Sequence, residues 1–173
     1  MKSALLTILF ALPLFVAAQD IPWKKERPLT WADYKAKPDK MSDGGAATYS
    51  NIGYYVQPLR SDTGYRFSVT VRCVFLGDRS WVKYRFMTDG MLDHEQLRFD
   101  ISELYARKLY DALTKVVYSD NWKEEMRQIY DGIREEWFAA NRRYNKQVSI
   151  LDAEKQAAWD KEIRGEIARL PSY

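Results

Sequence analysis

The chain has 173 residues, a formal charge of +3, one Cys and one His. A single Cys excludes an intramolecular disulfide, and a single His excludes a metal centre built on two or three imidazoles. With 27 basic against 24 acidic side chains and no Lys/Arg stripe interleaved with aromatics, the composition argues against a nucleic-acid partner.

The first element is a leader. Lys2 precedes an apolar run from Ala4 to Val16 that ends in Ala17 and Ala18. A basic start, a short apolar run and a small-residue exit describe a signal peptide over residues 1–19, and the run is too short for a membrane-spanning helix. It predicts export to a secreted or periplasmic location, with no stable membrane anchor once the leader is cleaved. The remainder, residues 20–173, is the length of one domain. The charged run Lys24-Lys25-Glu26-Arg27 reads as a solvated stretch behind the leader.

Residues 21–85 are punctuated by Pro22, Pro28, Pro38 and Pro58 and read as strands. Leu29-Thr30-Trp31-Ala32-Asp33-Tyr34 reads as a short strand or turn that buries Trp31. A strand is expected over residues 46–56, interrupted at Gly53. After a turn at Ser61-Asp62-Thr63-Gly64, Tyr65, Phe67, Val69 and Val71 alternate with Arg66, Ser68, Thr70 and Arg72, the pattern of a strand with one wet face. Cys73 reads as a packed thiol opposite in phase to Val71. A last short strand is expected at Ser80-Trp81-Val82-Lys83-Tyr84.

From Thr88 no Pro occurs until Pro171, and the apolar period becomes helical. Ile101, Leu104, Tyr105, Lys108, Leu109, Ala112, Leu113, Val116 and Val117 form one stripe. A break at Ser119-Asp120-Asn121 is expected to cap a second helix, whose stripe is Trp122, Met126, Ile129, Ile133, Trp137, Ala140 and Tyr144. Asp152 is placed to cap a third helix bearing Trp159, Ile163, Ile167 and Leu170. The fold class expected is α+β: an N-terminal antiparallel sheet followed by three helices.

The chemistry-bearing stretch is Asp93-His94-Glu95-Gln96-Leu97-Arg98-Phe99-Asp100-Ile101, at the start of the first helix. A zinc peptidase helix needs H-E-x-x-H, two imidazoles one turn apart on one metal and a Glu to polarise the metal-bound water. Here the first His and the Glu are present, and Arg98 stands where the second His would be.

The stretch resembles the bacterial family of predicted secreted zinc-dependent proteases, a domain of unknown function with a His-Glu-Gln-Gly-His-Phe-Asp-Ile helix. Leu29-Thr30-Trp31-Ala32-Asp33-Tyr34 is similar to the family's opening strand, Ser80-Trp81-Val82 to the segment before its helix, and Tyr144-Asn145-Lys146 with Gln156-Ala157-Ala158-Trp159 to its closing segment. The resemblance implies a metalloprotease-like domain over residues 20–173 whose first helix carries a degenerate zincin-like motif. The family's Gly is Leu97 here and its second His is Arg98. A further imidazole of its closing segment falls on Ile150, with Val148 at the Thr before it.

A guanidinium keeps its proton and cannot coordinate a metal. The expected metal set is therefore none, with zinc the alternative cofactor. Glu95 becomes a vestigial catalytic residue, and His94, Arg98 and Glu103 a degenerate former metal site. Two arrangements of Arg98 are open: it replaces the metal electrostatically, pairing Glu95 and a second carboxylate such as Glu103, or it extends into solvent. His94 is expected to be a neutral, hydrogen-bonded core residue.

The function expected is that of a non-catalytic relative, a pseudoenzyme that binds a protein, peptide or glycan in the cell envelope. An active secreted zinc-dependent peptidase with atypical ligands and a purely structural envelope protein are the alternatives. An open cleft beside His94, Glu95 and Arg98 would favour binding there, and a filled one a structural role.

Overall fold

The alternation in residues 65–75 decides one face of a sheet and, through it, the place of the first helix. In the computed structural model, which describes residues 20–59 and 64–173, Phe67, Val69, Val71, Cys73 and Phe75 are buried and Arg66, Ser68, Thr70 and Arg72 are exposed. This strand, β4 (Arg66–Phe75), pairs antiparallel with β3 (Ser50–Leu59) along its whole length, and at its far end with the two-residue β1 (Ile21–Pro22). The order in the sheet is β1-β4-β3. The expected leader at residues 1–19 and most of the turn at residues 61–64 lie outside the described residues.

Four local readings are corrected. Residues 46–56 do not form one strand: β2 (Ala46–Ala47) pairs with β5 (Trp81–Val82) in a separate ribbon, and β3 begins at Ser50. Gly53 does not interrupt β3, because it sits in register opposite Arg72 with open space around its Cα. Cys73 shares the buried face with Val71, as two residues' separation in a strand requires. Trp31 lies in a single 3₁₀ turn (Trp31–Asp33) and is only half-buried, while Leu29 and Tyr34 on either side are in the core.

The charged run Lys24-Lys25-Glu26-Arg27 is held down at both ends. The Trp23 backbone N–H donates to the Cys73 carbonyl at 2.9 Å, and the Trp23 indole Nε1 donates to Asp100 at 2.8 Å. Arg27 grips both oxygens of Asp33 at 3.1 and 2.8 Å, and Leu29 N–H donates to Gln96 at 2.7 Å. The stretch is thus a strap across the first helix, with Lys24, Lys25 and Glu26 left exposed on it.

Three helices follow: α1 (Asp89–Thr114), α2 (Trp122–Gln147) and α3 (Ala153–Arg169). Thr88 caps α1 by accepting from Met91 N–H, and Asp152 caps α3 by accepting from Lys155 N–H. Asn121 precedes α2 without capping it through its side chain; Glu125 folds back instead onto Ser119 N–H and its hydroxyl. Helix α1 is the hub, packed by β4 and β3 on one flank, α2 on another and α3 on a third. Ile101, Leu104, Leu109 and Leu113 are at most 2% exposed. The architecture is α+β, an N-terminal antiparallel sheet followed by three helices.

Ile101 is fully buried at the centre of this hub. Ile101→Ala should cost about 2–5 kcal/mol in urea unfolding, the range for a core truncation that leaves a cavity. A cost below about 1 kcal/mol would show that α1 is not the centre of the core.

Candidate functional site

Helix α1 brings His94, Glu95 and Arg98 within one turn of one another. His94 is buried, with its ring stacked on Tyr144 of α2 at 4.7 Å between centroids. The Tyr144 hydroxyl lies 3.0 Å from His94 Nδ1 and 3.3 Å from its carbonyl oxygen. The imidazole is therefore engaged in a protein–protein hydrogen bond inside the core, as expected of a core histidine. Burial first, and the Arg98 charge with it, push the His94 pKa below the usual 6.5, outweighing the Glu95 charge that acts the other way.

Glu95 is 2% exposed. Its oxygens face Arg98 Nη1 at 3.4 and 3.3 Å, an i, i+3 ion pair within the helix. The Arg98 side chain is 22% exposed. Its Nε is buried and has no hydrogen-bond partner among the described residues. Above the pair, Tyr34 shares a 2.8 Å hydrogen bond with Thr48, whose hydroxyl donates to the Glu95 carbonyl at 3.5 Å. Burial, and after it the Glu95 charge, push the Tyr34 and Tyr144 phenols up, so both stay protonated.

Arg98 thus pairs with Glu95, and Glu103 does not join them. Nine helical positions separate His94 from Glu103, half a turn in azimuth and roughly 13 Å along the axis. Glu103 instead accepts from Arg107 Nε at 2.8 Å and from the Tyr173 hydroxyl at 2.6 Å. Arg107 also donates to the carbonyls of Ile167 and Leu170 at 3.1 and 3.4 Å, closing the last turn of α3. Asp100 lies on this same far side of α1, accepting from Trp23 and from Gln96 Nε2 at 2.8 and 2.7 Å. Burial pushes both the Asp100 and Glu103 carboxyls up, partly offset by these donors.

Ile150, where the resemblance places a further imidazole, lies in the turn between α2 and α3. It lines a cleft of about 370 Å³ with Gly90, Asp93 and Leu97, beside the opening turns of α1. The residues present do not fit a zinc centre. The candidate donors are one imidazole already bonded to Tyr144, one carboxylate already paired with a guanidinium, and two carboxylates on the opposite helix face. Cys73 is buried on the strand face, and burial, then the Glu103 and Asp100 charges, hold its thiol protonated.

Tyr144, Arg107 and Tyr173 hold the ionisable groups of α1 in place. Of these, the apolar pattern marked only Tyr144, and as core. No protein-family model, curated protein or solved structure matches the chain.

A lowered folded pKa means that the stability His94 contributes is present above about 6.5 and is lost as pH falls through the folded value. Asp100 and Glu103 act oppositely: with raised values, their contribution is full at low pH and is lost as pH rises through those values. The single imidazole gives a single set of ring resonances. An NMR pH titration should find its midpoint below 6.5. A midpoint at or above that value would contradict the buried, Tyr144-bonded arrangement.

Proposed function

We propose that the protein is a non-catalytic, secreted or periplasmic relative of the zinc-dependent protease-like family, which binds a partner in the cell envelope rather than cleaving one. One observation carries this reading: Arg98 holds Glu95 in an ion pair where a second imidazole and a metal would have to lie. A carboxylate paired with a guanidinium, with no metal-bound water beside it, has nothing to activate. The family assignment rests on the residues of α1 and the flanking segments that resemble it. Support from the fold is indirect: Ile150, onto which the resemblance places a further imidazole, borders the opening turns of α1.

Burial of His94 and Glu95 works against the old motif as a binding surface. It favours a structural role for that face, by the criterion that a filled cleft leaves nothing to bind. The binding reading therefore rests on the other side of α1, where the strap and α3 leave an open cleft.

Elemental mass spectrometry of the purified protein, prepared without added zinc, should find far less than one metal per folded chain. Arg98→His alone should not create tight zinc binding, because Ile150 supplies no further ligand. Stoichiometric zinc in the unaltered protein, with peptide cleavage abolished by Glu95→Gln, would establish the active-peptidase alternative instead.

A further inference from the structure

The side of α1 turned away from the motif carries a cleft of about 780 Å³ between the strap, α1 and α3. That volume lies within the range of pockets that hold small ligands, about 300–1,000 Å³. Gln96 and Arg164 also border the smaller cleft towards Ile150, so the two adjoin.

The floor of the larger cleft is Asp100, which is 4% exposed. Its Oδ1 is fixed by two donors, Trp23 Nε1 and Gln96 Nε2. Its Oδ2 accepts no hydrogen bond among the described residues, and Arg164 Nη2 stands 3.8 Å away. A buried carboxylate locked on one oxygen and open on the other presents an oriented acceptor to the cleft.

The walls set the rest of the chemistry. Trp23 is half-buried, with the Arg107 guanidinium 5.8 Å from its ring centroid, and Ile167 and Ala168 form an apolar side. Lys24 and Lys25 are exposed on the rim with Glu26, while Arg164, which also borders the cleft, is held by Asp160 at 2.6 Å. An acceptor at the floor asks for hydroxyl or amide donors. Two exposed lysines without an ion-pair partner among the described residues ask for an anion, and one indole with a narrow apolar wall suits the C–H face of a sugar ring better than a series of peptide side chains.

We propose that this cleft binds an acidic glycan, a sugar whose hydroxyls donate to Asp100 and whose carboxylate, phosphate or sulfate group meets Lys24 and Lys25. The proposal deepens the binding reading above and rests on it. Its test is independent of metal content: a metal-free protein that ignores sugars overturns this inference and leaves the non-catalytic reading standing.

The experiment is an NMR titration of the full chain with trigalacturonic acid, maltotriose and a neutral tripeptide, following the Trp23 indole N–H. A sugar phosphate and a sugar sulfate, added in parallel, identify the preferred acid group. The acidic sugar should shift the Trp23 resonance, and maltotriose should bind at least tenfold more weakly. Asp100→Asn should weaken acidic-sugar binding at least tenfold. The exposed pair Lys24→Ala/Lys25→Ala, which leaves the core contacts untouched, should remove the preference for the acidic sugar. No shift with any acidic sugar at millimolar concentration overturns the proposal. So does tighter binding of the tripeptide, or acidic-sugar binding that both sets of substitutions leave unchanged.

Discussion

Three buried carboxylates on one helix, Glu95, Asp100 and Glu103, constrain everything around α1. Each is at most 4% exposed, and an unpaired charge at such a depth costs several kcal/mol. Each is answered from a different part of the molecule: Glu95 by Arg98 of the same helix, Asp100 by Trp23 of the strap and Gln96, and Glu103 by Arg107 and Tyr173. The strap lies where it does because Asp100 needs a donor, and the end of α3 is held because Arg107 reaches past Glu103 to its carbonyls. The polar pairing of α1 thus fixes elements that its apolar stripe alone would leave free to slide.

The two sides of α1 differ in what that pairing leaves over. On the motif side the groups satisfy one another: His94 is closed by Tyr144, Glu95 by Arg98, and the aromatic cover of Tyr34 and Tyr144 removes water. On the far side Asp100 keeps one oxygen without a hydrogen bond among the described residues, 3.8 Å from Arg164 Nη2, at the base of an open cleft with Lys24 and Lys25 on its rim.

Much of this was legible in the sequence. The period-2 alternation through Phe67 and Val71 and the helical stripes through Ile101, Met126 and Ile163 gave the α+β architecture. Glu103 was grouped with the motif by the resemblance and does not belong to it, although nine helical positions from His94 already point the two side chains in opposite directions. The strap was not legible: Lys24-Lys25-Glu26-Arg27 is as polar as a free segment, and its side-chain anchors are one indole N–H and one guanidinium whose partners lie 77 and 6 residues away. Tyr144 was visible as core but not as the partner of His94, because a stripe reports burial and says nothing of which hydroxyl meets which ring. The split of residues 46–56 between two sheets depends on pairing with Trp81 and Val82, a contact without local signature.

The claim on which the account turns is that Arg98 balances Glu95 in place of a metal. A double-mutant cycle with Glu95→Gln, Arg98→Met and the double variant, read by urea unfolding, isolates that interaction. The account predicts a favourable coupling of about 1–3 kcal/mol, with the double variant more stable than the sum of the single losses implies. A coupling near zero would mean that the two side chains are independently solvated, and Arg98 would then be no substitute for a metal.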